Sequence, residues 1–219
     1  MTNGNRAFWE RTWGSVAPER LSACAAGVDA AEDAVTAFLR EQGVRSVCDA
    51  GCGCGAYALK LARRGFSVSG FDLAAEAVSL TKKLLSEHGF PTGSFKQADI
   101  MSTGYADGAF DAAVARDVVD HMPLKQGVLA VRELLRIVRP GGFVLLTLDA
   151  ADEEYESEEH TVSEDGDYRY TGGKWEGMTF HPFDVHEIGK LADGAAYRVL
   201  DSTGGGFTVA LAGTGAGRG

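Results

Sequence analysis

Three times between Ala30 and Ile100 a helical pattern runs into a glycine, and an apolar, β-rich run follows. The helical stretches are Ala30–Gly43, Ala56–Gly65 and Ala74–Gly89; the runs after them are Val44–Ala50, Phe66–Leu73 and Gly93–Ile100. Glycine takes the left-handed conformation that closes a helix, so each one reads as a stop. Strands separated by helices are joined by crossovers, which gives a mainly parallel sheet with helices on both faces. Two more strand-like runs, Phe110–Val119 and Gly141–Ala150, flank a helical pattern over Leu124–Val138. The second is apolar almost throughout, as a strand covered on both faces requires.

The rhythm changes after Ala150. Ala151–Gly166 is rich in Asp and Glu and nearly lacks aliphatics, which reads as a solvated loop or mobile segment. Asp167–Phe183 sets aromatics around Gly172-Gly173, a hairpin pattern. Asp184 with Glu187 three residues later suggests a capping box opening a helix over 184–194. Tyr197–Thr203 and Phe207–Gly213 are candidates for two last strands, and residues 214–219 for a frayed tail. With no repeat and no clear linker, residues 1–219 read as one domain: a core over about 44–148 and an acidic, aromatic cap insertion over about 151–183.

Charge and composition narrow the partners. The formal net charge is -10 and no basic stripe is present, which argues against nucleic acid and against an anionic membrane surface. No apolar run approaches the roughly 20 residues that span a bilayer, and the start has charges but no apolar signal core, so the cytoplasm is expected. Of four cysteines, Cys48, Cys52 and Cys54 cluster, but without the paired C-x-x-C spacing of zinc sites. His160, His181 and His186 fit no metal spacing either, so no metal is expected. A small molecule is the expected ligand, handled by a monomer or homodimer.

Gly51, Gly53 and Gly55 stand between a strand and a helix. Such a bend lets the chain turn tightly, lets a ligand lie against bare backbone, and aims the free N–H groups of the next helix at it. Gly51, Gly53 and Ala56 also fit the dinucleotide pattern G-x-G-x-x-A, so a nicotinamide-dependent oxidoreductase is one reading. Asp49 opposes it: a carboxylate two residues before the first glycine repels a pyrophosphate and attracts a cation. S-adenosylmethionine carries an ammonium and a sulfonium. Asp72 closes the next strand 17 residues past Gly55, near the spacing at which a carboxylate accepts from ribose hydroxyls.

"VCDAGCGCG", "FDLA", "QADI", "FDAAVARDVVDHM" and "LLRIVRPGGFVLLT" together resemble, in order and spacing, the motifs of class I S-adenosylmethionine-dependent methyltransferases. The resemblance runs from about Val44 to Leu148. It implies a Rossmann-like three-layer sandwich whose seven-stranded sheet is mostly parallel, with the last strand antiparallel. It implies methyl transfer from S-adenosylmethionine to a small molecule, or a protein that kept the cofactor pocket without turnover. By the same resemblance Gly51, Gly53 and Gly55 surround the methionine part, Asp49 meets its ammonium, and Asp72 holds the ribose. Leu73 and Ile100 pack on the adenine, Asp99 accepts from its amino group, and Arg116 contributes near the methyl donor, its side-chain role open. His121 has a family counterpart near the site and is the candidate proton acceptor; a structural histidine is the alternative. Asp117 and Asp120 read as residues that orient a loop or face solvent.

No catalytic triad is needed, because positioning a nucleophile against a potent donor does most of the work. Acceptor selection falls to the less patterned segments, Met1–Val28 and Ala151–Phe183. The second holds Tyr155, Tyr168, Tyr170, Trp175, Phe180 and His181, a set suited to a lid over an apolar or aromatic molecule or to bracing a hairpin on the sheet. Trp9 and Trp13 suit either closure over the cofactor or packing on the domain.

Overall fold

The computed structural model describes residues 3–16, 32–202 and 205–213. The segment 17–31, the first residues of the helical pattern at Ala30, Cys24 and the tail at 214–219 lie outside the described residues. A seven-stranded sheet forms the centre, in the order β3-β2-β1-β4-β5-β10-β9. Its strands are β1 (Ser46–Ala50), β2 (Ser67–Asp72), β3 (Phe95–Gln97), β4 (Phe110–Arg116), β5 (Val138–Asp149), β9 (Tyr197–Asp201) and β10 (Gly206–Ala212). All pairings from β3 to β5 are parallel, and β10 runs antiparallel to both of its neighbours. The chain winds outward from β1 in one direction and from β4 in the other. The C-terminal ends of β1 and β4 therefore flank the switch point, where an open sheet of this kind leaves a crevice.

Alternation along the strands fills two separate cores. Val47, Val114 and Leu145 pack with Phe38, Leu39, Tyr57 and Leu61, from α2 (Ala34–Glu41) and α3 (Ala56–Arg63). Their neighbours Cys48, Ala113 and Leu146 face Val131 and Leu134 of α5 (Leu124–Ile137) and Ile188 of α7 (Val185–Ala192). The middle layer is thus buried on both sides, which is why its strands read as nearly unbroken apolar runs. α4 (Ala75–Glu87) packs through Val78, Leu84 and Leu85 on Leu59 and Phe95. Asp33 begins α2 with a complete capping box, its carboxylate accepting from the Thr36 amide at 2.8 Å.

Three local expectations need correction. The acidic segment is not a plain loop. Asp152 accepts from the amides of Glu154 and Tyr155 and starts α6 (Glu153–Ser157), and the acidic first turn suits the helix N-terminus. His160–Val162 then forms β6, which pairs with β7 (Tyr168–Tyr170) and, through it, with β8 (Thr179–Phe180) in a second, antiparallel sheet. The anchor that charge patterning hides is Tyr155, whose ring stacks on Phe180 with centroids 3.9 Å apart. Second, Asp184 does cap α7, accepting from His186 and Glu187, but the Glu187 carboxylate turns to His181 Nε2 at 3.3 Å. Third, the strand expected from Gly141 begins earlier, at Val138, so Pro140 also belongs to β5. A Cβ on Gly142 would come 2.2 Å from the Asp111 carbonyl oxygen, so only glycine lets these strands approach here. No helix among the described residues is long and apolar enough to cross a membrane.

Candidate active site

At the switch point lies a cavity of about 370 Å³. Asp49, Gly51, Gly53, Asp72, Leu73, Ile100, Arg116 and His121 all contribute to its wall; Gly55 and Asp99 do not. The bend that forms one side is held from within the protein. The amides of Gly51 and Cys52 donate to the Phe71 carbonyl at 2.8 and 3.0 Å, and the Thr81 hydroxyl donates to the Gly53 carbonyl at 2.9 Å. Gly51, Gly53 and Gly55 all have positive φ, at 79°, 52° and 85°.

Their bare faces meet protein as well as open space. A Cβ on Gly51 would lie 2.6 Å from Val118, one on Gly53 2.8 Å from the Trp13 ring, and one on Gly55 2.8 Å from the Thr81 Cα. Gly55 is therefore the position that lets α3 and α4 approach, and Trp13 is the lid over Gly53. The sequence signals the bend but not these neighbours, which come from residues 26 to 67 positions away or from the N-terminal helix.

Asp49 is 2% exposed. Burial, offset by Arg116 and reinforced by Asp72, lifts its carboxyl to about 7. Its Oδ2 is buried without a hydrogen-bond partner. Asp72, also buried, accepts from the amides of Gly53 and Ala74 at 2.9 Å each. Burial raises its carboxyl, and those amide bonds oppose the rise. Leu73 and Ile100 join Phe71 and Ala98 in an apolar wall beyond Asp72. Asp99 instead accepts from the Met101 amide at 2.9 Å and shapes the turn after β3. These features fit a bound adenosyl amino acid: an unpaired buried carboxylate oxygen for a cation, a second carboxylate, and an apolar wall.

The far side of the cavity is built by α1 (Asn3–Gly14) and the turn after β4. Trp9 and Trp13 both line it, with ring centroids 6.5 Å apart, and both also pack on the domain, Trp9 beside Phe8 and Phe180 and Trp13 beside Cys54 and Leu80. Trp9 meets the His121 ring edge-on at 5.0 Å. Burial holds His121 at about 4, hence neutral at pH 7, and its Nδ1 is buried without a partner. Asp117 orients the turn through the Thr147 hydroxyl. Asp120 does not face solvent: it is fully buried and accepts from the Asp149 amide at 3.1 Å. One oxygen each of Asp117, Asp120 and Asp149 lies within 4.8 Å of the others. This trio is the arrangement among the described residues that could take a metal ion. Cysteine and histidine spacing could not reveal it, because its members are carboxylates from two strand ends. The cap seats against α1 through Phe8, Tyr170, Met178 and Phe180.

Sheet order, switch-point crevice and a carboxylate-flanked bend define a three-layer α/β protein built to hold an adenosyl amino acid. Comparison with known proteins agrees. Residues 47–142 match the family model described as a methyltransferase domain. The chain is 33% identical over 155 residues to the 2-heptyl-1-hydroxyquinolin-4(1H)-one methyltransferase of Mycobacteroides abscessus, covering 69% of this chain and 68% of that protein. It is 31% identical over 104 residues to the ubiquinone biosynthesis O-methyltransferase of Paracidovorax citrulli, covering 47% of this chain and 43% of that one. In fold it is similar to a SAM-dependent methyltransferase of Methanosarcina mazei, with TM-score 0.63, 24% identity and 78% and 93% of the two chains covered. Magnesium protoporphyrin IX methyltransferase from Synechocystis with bound SAH is similar too, with TM-score 0.59, 17% identity and 94% and 93% covered.

The chain belongs to the class I S-adenosylmethionine-dependent methyltransferases, and S-adenosylmethionine is its cofactor. The nicotinamide reading of the glycine bend gains no support.

Proposed function

We propose that this enzyme methylates a hydroxyl on a small, flat, largely apolar acceptor held between the bend and the α1 tryptophans. The observation that carries the cofactor pose is Asp49: a residue of the cavity wall with a buried carboxylate oxygen that has no partner, beside backbone that bears no side chains. Asp49 takes the cofactor's ammonium and Asp72 its ribose hydroxyls. Leu73 and Ile100 pack on the adenine; Asp99, outside the cavity wall, is left to shape the turn after β3. When bound, the sulfonium supplies the methyl group.

The chain's own residues supply position and dryness. Trp9 and Trp13 offer a stacking wall and keep water from the cavity. His121 is neutral and its Nδ1 is unspent, so it accepts a hydrogen bond, and then the proton, from a hydroxyl on the acceptor. The acceptor class draws support from the hydroxyquinolone and ubiquinone methyltransferases among the relatives. The acidic surface favours neutral or cationic small molecules over nucleic acid, and the enzyme works in the cytoplasm as a monomer or homodimer.

The test is transfer of labelled methyl from S-adenosylmethionine to a panel of hydroxyquinolones, hydroxylated quinols, amines and thiols. Transfer to the hydroxylated aromatics, lost in His121→Ala but with cofactor affinity kept, supports the reading. Methylation of amines or thiols alone would overturn the acceptor class, and cofactor binding without any transfer would point to a non-catalytic protein.

A further inference from the structure

The methionine end of the cofactor is a zwitterion, and a charge that leaves water needs a partner. Asp49 answers the ammonium; the carboxylate needs a cation. Among the described residues lining the cavity, Arg116 is the only one that carries positive charge at neutral pH. His121 is neutral there, and the remaining walls are acidic, glycine, hydroxyl, thiol or apolar.

Arg116 is placed for that task by the sheet. Asp49 of β1 pairs with Val114 of β4, and Arg116 lies two residues further along the same strand. Residues two apart share a strand face, so Asp49 and Arg116 rise on the same side at adjoining strand ends. Arg116 is the main charge that holds the Asp49 carboxyl down against burial. The guanidinium carbon sits over the Tyr57 ring, 4.4 Å from its centre. Its nearest carboxylate oxygen, on Asp117, is 4.0 Å away, beyond hydrogen-bond distance. A planar fork of donors held on an aromatic ring is suited to a carboxylate, which it meets with two parallel bonds.

We propose that Arg116 binds the carboxylate of the cofactor's methionine end, opposite Asp49, so that the two side chains together read the free amino acid. This rests on the cofactor pose above and assigns the one side chain whose role motif comparison leaves open. It makes the enzyme selective against adenosyl compounds that lack the carboxylate, because those leave the guanidinium without its partner.

Calorimetric titration of the full chain with S-adenosylmethionine and with its decarboxylated analogue tests the assignment. Arg116→Gln is expected to weaken S-adenosylmethionine by about tenfold or more while changing the decarboxylated analogue by less than about twofold. Arg116→Lys, which keeps charge but loses the fork, is expected to fall between. Near-ultraviolet circular dichroism verifies that the variants fold. Equal losses for both ligands, or unchanged S-adenosylmethionine affinity in folded Arg116→Gln, would overturn the assignment and leave the cofactor pose standing. If the parent protein binds neither compound, pose and assignment fall together.

Discussion

Asp49 is a buried carboxylate in the cofactor bay, and its burial becomes a pH signature. With its carboxyl lifted to about 7, the ligand-free protein holds a proton there at acidic pH and must release it to receive an ammonium. Cofactor affinity is expected to fall as pH drops below about 7, approaching tenfold per unit. Titration calorimetry from pH 5.5 to 8.5 reads this directly; Asp49→Asn should bind more weakly at pH 8 and lose the slope, and a flat parent profile would contradict the charge assignment. Asp72 is bound into the same bend by two amides. Asp72→Ala is expected to weaken S-adenosylmethionine by about tenfold or more and to lower stability as well, since each bond to a charged acceptor contributes about 1.5–3 kcal/mol. Equal calorimetric affinities for folded variant and parent would remove the ribose assignment. Both carboxylates were legible from spacing against the bend. The lid over Gly53 was not, because a contact between Trp13 and residue 53 leaves no local pattern.

At the scale of elements, α1 is the piece that joins cofactor bay and cap. Its Asn5 is fully buried; its Nδ2 donates to the His121 carbonyl at 2.7 Å and its Oδ1 accepts from the Thr179 amide at 3.2 Å. One side chain thus ties the helix to the turn after β4 and to β8. Asn5→Ala leaves buried backbone groups without that partner, at about 1–3 kcal/mol. It is expected to lower Tm and to weaken cofactor binding by releasing Trp13 and Trp9, measurable by thermal unfolding and by tryptophan fluorescence on ligand addition. Unchanged cofactor affinity would separate α1 from the bay. The same packing changes what removal of the cap segment from Glu153 to Lys174 should do. A free-standing substrate lid would be dispensable for cofactor binding, but this one supports α1 through Tyr170. Its deletion is expected to weaken the cofactor along with acceptor turnover. The cap's Gly-Gly hairpin was legible in the sequence; α6 and β6 were not, because their stability comes from Tyr155 and His160 stacking on aromatic partners rather than from propensity.

For the molecule as a whole, several buried carboxylates set the response to pH. Burial raises Asp49, Asp72 and Asp120, and neighbouring carboxylates raise Asp120 further. A carboxyl raised above its unfolded value binds its proton more tightly in the native state, so each takes stability away as pH climbs from about 4 through its native value. His121, held at about 4, opposes this up to about pH 6.5, so the ligand-free enzyme is expected to lose stability between about pH 6.5 and 8, and Asp120→Asn to be more stable than the parent at pH 8. Denaturant melts at pH 6.5 and 8 check the sign, and a parent more stable at pH 8 than at pH 6.5 would refute it. S-adenosylhomocysteine at about 100 times its Kd should add about 2.7 kcal/mol.

Strand–helix alternation, the glycine stops, the bend after β1 and its two attendant carboxylates follow from the sequence alone, because each is a pattern between residues close along the chain. The lid of Trp9 and Trp13, the meeting of Asp117, Asp120 and Asp149, and the setting of Arg116 against Tyr57 and Asp49 were decided only in the folded molecule. Sheet order and the seating of α1 bring those groups together, and no spacing between neighbours in the chain encodes which distant side chain fills the space above a glycine.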